Sequence, residues 1–392
     1  MTVLLFEQPS DHTAMLPISY TRAIGEVRVG ILTLREKWEK QLNCHTAIQT
    51  VDYLQSKYAV SDKPDLLIHG SILPSPALIE KISQLLPGQA IYSHDELLIA
   101  KCDDRRLSTL DVYEPISLDF EVDRISRTWD IFSKNGQEIR TDYTLLTAGR
   151  ESEPILDDHT ITYGNDIFLE EGASVKAAIL NAENGPIYLG KNAKIEEGAI
   201  IRGPFALCEG SVVNTGGKMR GDNTIGPHSK VGGEITNCVI LGYSNKGHDG
   251  FLGNSVIGEW CNLGADTNNS NLKNNYASVK MWDYAANSFV DSGLQFCGLI
   301  MGDHSKCGIN TMFNTGTTIG VSANIFGEGF PRNLIPSFAW GGNKGFMTYQ
   351  IKKVFETAKL VMQRRGKSLT ETEQEILSDI FEQTAPYRNW EK

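Results

Sequence analysis

Apolar residues return every six positions through the middle of the chain: Leu189, Ile195, Ile201, Leu207, Val213, Met219, Ile225 and Val231. A helix would bring them back every three or four residues and a half-buried strand every two, so neither fits. The six-residue return predicts a hexapeptide-repeat parallel β-helix. Each hexad gives one short strand and one turn, and its single inward side chain stacks on those of the coils above and below. Gly190, Gly198, Gly210, Gly226 and Gly232 stand beside these anchors, where a chain turning so often needs positive φ or close backbone approach. The spacing recurs at Leu169 and Val175, at Phe251, Ile257 and Leu263, and at Met301, Cys307, Phe313, Ile319 and Ile325. The pattern predicts a β-helix from about residue 165 to about 330, broken between Val231 and Phe251.

The flanks follow other rules. Val3 to Phe6 and Leu66 to His69 read as strands, and Leu32 to Leu42 and Pro76 to Leu86 as helices, the second with proline in its first turn. That alternation predicts an α/β domain with a mainly parallel sheet. Beyond the ladder, the Pro-, Gly- and aromatic-rich stretch from Phe330 to Phe346 predicts an ordered loop. Tyr349 to Arg364 and Thr370 to Glu382 carry apolar stripes at helical spacing, and Thr370 with Glu373 forms a capping-box start. The expected domains are residues 1–155, 156–335 and, as a loop and helical tail, 336–392.

Composition narrows the function. The net charge of -11 argues against nucleic-acid binding, which needs clustered Lys and Arg. No window is apolar for long enough to span a membrane, and MTVLLFEQPSDH reads as a first strand rather than a signal peptide. Seven cysteines without a CxxC pair fit a reduced, cytoplasmic chain.

Four stretches carry a resemblance to a known family: Leu16 to Glu39, GPIYLGKNAKIEEGAIIRGPFALCEG, NKGHDGFLGNSVIGEWCNLGADTNNSNLKN and GLQFCGLIMGDHSKCGINTMFNTGTTIG. The chain resembles the GlmU-like bifunctional sugar nucleotidyltransferase/glucosamine-1-phosphate N-acetyltransferases, in their divergent Bacteroidetes form. The resemblance implies an α/β nucleotidyltransferase-like domain, a left-handed parallel β-helix and carboxy-terminal helices. It also implies acetyl-CoA as cosubstrate, Mg²⁺ and UTP for the amino-terminal domain, UDP-N-acetylglucosamine as product and a homotrimer with acetyl-CoA between neighbouring stems.

Residue by residue, the resemblance makes His248 in KGHDGFLG the general base, with His304 in GDHSKCG as a competing position. A neutral imidazole can take the proton of an attacking sugar amine at pH 7. Arg220, Lys246 and Asn271 would bind substrate, although Leu272 stands where a tyrosine should follow Asn271. Ser292 and Thr315 would line acetyl-CoA, and Arg22, Arg28 and Lys37 would bind nucleotide phosphates.

The amino-terminal half departs from the family. No glycine-rich loop follows the first strand, and LLIHGSI places Ser71 where a metal-binding aspartate is expected. Serine is a poor sole ligand for Mg²⁺, and Asp103, Asp104, Asn165 and Asp166 are the alternatives, leaving the metal ligands open. Two other readings stand beside the bifunctional one: a nucleotidyltransferase making a UDP- or dTDP-sugar on a structural β-helix, and a non-catalytic scaffold that binds a nucleotide sugar.

Overall fold

A computed structural model describes residues 1–391 and divides into two compact units, residues 1–27 with 32–127, and residues 28–31 with those from 128 onward. The division falls at Arg127 rather than at 155, because the helix from Asp130 to Thr147 belongs with the β-helix.

The first unit contains strands β1 (Thr2–Phe6), β2 (His45–Gln49), β3 (Leu66–His69), β4 (Gln89–Ser93), β5 (Glu96–Lys101) and β6 (Glu114–Ile116). Helices α1 (Pro9–Ala14), α2 (Leu34–Leu42), α3 (Asp52–Gln55) and α4 (Pro76–Gln84) connect or flank them. Thr33 caps α2 through a reciprocal pair with Glu36, and Ser75 caps α4 by accepting from the Leu78 amide, with Pro76 inside the first turn. The sheet order is β2-β1-β3-β5-β4-β6. β1 is parallel to β2 and β3, but β5 runs antiparallel to both β3 and β4, so the expected mainly parallel sheet is mixed. Val3, Leu5, Leu66, Ile68 and Ile99 bury one face against Trp38, Leu78 and Ile82.

The second unit is a parallel β-helix of the left-handed hexapeptide class, with three faces. Its first face runs through strands at Ile179–Asn181, Ile200–Arg202 and Lys218–Arg220. The second runs through Ile187–Leu189, Phe205–Leu207 and Asn223–Ile225, and the third through Lys194–Ile195, Val212–Val213 and Lys230–Val231. The inward residues form one core from Leu169 to Ala339. Each such Leu, Ile or Val contributes about 1.5–3 kcal/mol by leaving water. Helices α5 (Asp130–Thr147), α6 (Ile351–Gln363) and α7 (Glu371–Gln383) lie on the outside. α5 packs Ile139 against Phe168, Tyr188 and Ala206 of the second face. From the end of α6, Arg365 reaches Asn245 of the third face at 3.0 Å, and Phe381 of α7 sits edge-on to Phe338.

The ladder does not break after Val231; its coils shorten. Along the second face, Leu207 pairs with Ile225, Ile225 with Ile240, Ile240 with Ile257 and Ile257 with Met301, so the return falls from eighteen residues to fifteen and seventeen before a long insertion. On the first face Met219 pairs with Ile235 and Ile235 with Leu252, so Leu252 points inward and Phe251 does not, one position off the strict six-residue count. Asparagine side chains repair the backbone ladder where coils are short. The buried Asn223 accepts from the Cys238 amide and donates to the Ile235 carbonyl, and Asn269 does the same with Gly253. The insertion holds a hairpin, Lys280–Asp283 with Ser288–Asp291. The stretch expected as a loop after Phe330 instead makes a further coil at Leu334–Ile335 and Ala339–Gly342, then folds back as a hairpin at Gly345–Thr348.

Candidate active site on the β-helix

The site begins with one corner of one short coil. Val231 pairs with Lys246 and Asn245 with Asn262, so the side chain of Lys246 occupies an inward rung between Val231 and Leu263. It is 1% exposed. Its Nζ donates to the carbonyls of His248 and Asp249, at 2.8 and 3.2 Å. Burial, partly offset by Asp249, lowers its pKa to about 8. From inside the solenoid, Lys246 thus holds the turn Gly247–Gly250 that carries the exposed His248 outward.

That turn is tightly stacked. Gly250 has φ +115°, and a Cβ there would lie 2.2 Å from the Thr267 carbonyl oxygen. Asn214 donates to the Gly247 carbonyl at 2.8 Å. His248 lines an open cleft of about 580 Å³ whose wall includes Asn214, Asn245 and Asn262. Lys230, Arg364 and Arg365 add three cationic groups, so the cleft suits an anionic ligand next to an imidazole.

The other expected site residues are placed less uniformly. Arg220 stands exposed on the outer side of the first face, paired with Glu234 at 2.8 Å. Lys246 does not reach the surface, because its ammonium is committed to backbone carbonyls within. Asn271 donates to the side chain of Asn254 at 2.8 Å, at the far corner of the first face. Ser292 closes the base of the inserted hairpin, donating to the Val279 carbonyl at 2.7 Å. Thr315 lines a separate hollow of about 460 Å³ with Lys273, Lys280, Asn314 and Asn333. His304 occupies a different corner, stacked on Trp260, and does not line the His248 cleft. Sequence reasoning missed Lys230, Arg364 and Arg365; the paired arginines after an amphipathic helix were the available signal.

In the first unit, Arg22 donates to the Ile18 carbonyl and is buried, as is Lys37, which takes both away from a nucleotide arriving from solvent. Arg28 lies in the segment that belongs to the second unit and donates to the Ile31 carbonyl. Ser71 does not stand free as a metal ligand; its Oγ lies 2.8 Å from Nδ1 of His69. Asp103 is occupied by the Arg105 and Arg106 amides and the Arg106 guanidinium. Asn165 and Asp166 belong to the first coil of the β-helix, not to this unit.

Residues 3–151 match the family model described as sugar nucleotidyl transferase. That match covers the amino-terminal part of the chain. A bifunctional sugar-1-phosphate nucleotidylyltransferase/acetyltransferase of Sulfurisphaera tokodaii is 30% identical over 144 residues, 36% of this chain and 35% of that protein. The bifunctional protein GlmU of Synechococcus elongatus is 23% identical over 177 residues, 43% of this chain and 35% of that protein. Each of these matches spans about a third of the relative's length. Among solved structures, the polySia-specific acetyltransferase NeuO matches at a TM-score of 0.27 and 17% identity, over 50% of this chain and 85% of that one. The curated relatives that the chain matches are transferases.

Proposed function

We propose that the chain is a bifunctional transferase of sugar-nucleotide synthesis, which N-acetylates an amino-sugar phosphate, glucosamine-1-phosphate by resemblance, and transfers a uridylyl group to the product. The observation that carries the first half is His248, exposed on a fixed turn at a cleft edged by Lys230, Arg364 and Arg365. The sugar amine attacks the carbonyl carbon of acetyl-CoA while the imidazole takes the amine proton. The C–S bond then breaks, and the departing CoA sulfur receives a proton to leave as the thiol. Lys246 keeps the turn in place without touching the reactants. The cationic edge suits the phosphate of either the sugar or CoA.

The second half rests on the match of residues 3–151 to the sugar nucleotidyl transferases and on the bifunctional relatives. UTP and Mg²⁺ are the expected cosubstrate and ion by that resemblance. A panel of amino-sugar and sugar phosphates, offered with acetyl-CoA and each nucleoside triphosphate, tests both halves together. The reading expects thiol release with an amino-sugar phosphate and pyrophosphate release with its N-acetyl product. Thiol release without pyrophosphate from any substrate would confine the activity to the β-helix, and neither product would reject the reading.

The acetyl-CoA wall expected at Ser292 and Thr315 does not line the His248 cleft within one chain. The reading therefore includes a trimer in which a neighbour supplies that wall. Its support is the first face, where Ile161, Tyr163 and Ile200 are exposed apolar residues while α5 covers the second face.

A further inference from the structure

His69 is the last residue of β3, beside the parallel strand β1, and its imidazole is fully buried. Its Nε2 lies 3.0 Å from Oδ2 of Asp11, in α1, and 3.6 Å from Oε1 of Glu96, the first residue of β5. The three donor atoms all fall within 4.8 Å of one another, although they come from three separate segments of the chain. Two ligands each about 2.1 Å from one ion stand about 3.0–3.5 Å apart; His69 makes that spacing with Asp11 and stands just beyond it, at 3.6 Å, from Glu96. No sequence motif announces this cluster, because the residues lie 58 and 27 positions apart.

The charges around the cluster suit a cation. Nδ1 of His69 meets Ser71 Oγ at 2.8 Å, the kind of outer partner that fixes the tautomer of a metal-binding histidine and frees Nε2 to coordinate. The Ser71 amide also points at Nδ1, at 3.3 Å, and would favour the opposite tautomer, with Nε2–H donated to the carboxylates. Arg124 occupies Oε2 of Glu96 at 2.7 Å, which turns Oε1 toward His69. The Gln8 amide donates to Oδ2 of Asp11 at 3.3 Å. With a neutral imidazole, two carboxylates and one guanidinium leave a net charge that a dication would offset. Both carboxylate side chains remain 26% exposed, so an ion has a path in and water can complete its shell.

We propose that Asp11, His69 and Glu96 bind a divalent first-row transition-metal ion. One imidazole with two carboxylates suits Mn²⁺ or Zn²⁺ better than Mg²⁺, which prefers oxygen alone. Ser71, where the family places its carboxylate, then serves as the histidine's support. The site lies at the carboxyl edge of adjacent parallel strands, where α/β sheets commonly take ligands, and a role for its ion beside a nucleoside triphosphate would rest on the nucleotidyl-transfer reading above.

The test needs no nucleotide. Full-length protein stripped with chelator is titrated with Mn²⁺, followed by the loss of the free-ion electron paramagnetic resonance signal, and with Zn²⁺, followed by metal analysis after dialysis. The proposal expects one ion per chain, weakened by about tenfold or more in Asp11→Asn and in Glu96→Gln, both with unchanged circular dichroism and thermal melting. His69→Gln should behave alike, but the two carboxylate variants keep the test valid if it does not fold. A wild-type chain that binds neither ion, or variants that bind as tightly as wild type, would overturn the proposal. Metal binding without pyrophosphate release from any substrate would reject the nucleotidyl reading and leave the metal site standing.

Discussion

Lys246 is the residue whose chemistry is least expected from its place. Three other residues of its column, Val231, Leu263 and Cys307, are apolar or weakly polar, and an ammonium among them is stable only because two carbonyls of the His248 turn receive it. Its folded pKa of about 8 lies below the ordinary 10.5 for lysine. Between those values the unfolded chain holds a proton that the folded chain has released, so stability rises with pH through this window, and below pH 8 the buried charge opposes folding. Lys246→Met removes the titration. Denaturant unfolding of both proteins should show wild type gaining about 2 kcal/mol on the variant between pH 8 and pH 9.5. A difference that stays constant with pH would mean that the ammonium is not held as described. The same variant should lose thioester turnover at every pH, since the turn loses its internal tie.

At the scale of the element, the His248 turn is a tight stack in which Gly250 cannot accept a side chain. Gly250→Ala combines left-handed φ with a Cβ 2.2 Å from the Thr267 oxygen, and should cost about 2 kcal/mol or more in thermal or denaturant unfolding. A melting temperature unchanged by that substitution would contradict the stacking. The helices were legible because their signals are local: Thr370 and Glu373 cap α7 reciprocally, as their spacing implies. The regular rungs were legible because one inward residue per hexad is a periodic constraint. The short coils were not, because removing residues at the corners shifts the count, so Phe251 appeared to be the anchor when Leu252 is. The apparent break was a polar anchor, Lys246, which a search for apolar residues passes over. The mixed sheet and the Asp11–His69–Glu96 cluster depend on strand order, which local pattern does not encode.

At the scale of the whole molecule, the proposed trimer makes a quantitative prediction. If His248 and the Lys273–Lys280 wall of one site come from different subunits, His248→Ala and a Lys273→Glu/Lys280→Glu double variant, each inactive alone, should complement when co-expressed and refolded together. Random mixing in a closed ring pairs an intact histidine with an intact neighbour in about a quarter of sites, so about a quarter of wild-type thiol release should return. No recovery would place both walls within one chain. The central claim, that the turn held by Lys246 carries the catalytic base, is tested most directly by measuring thiol release from acetyl-CoA with an amino-sugar phosphate for wild type and His248→Ala. The account predicts a fall of about 10²–10⁴-fold with unchanged folding and oligomeric state; turnover within a few-fold of wild type would contradict it.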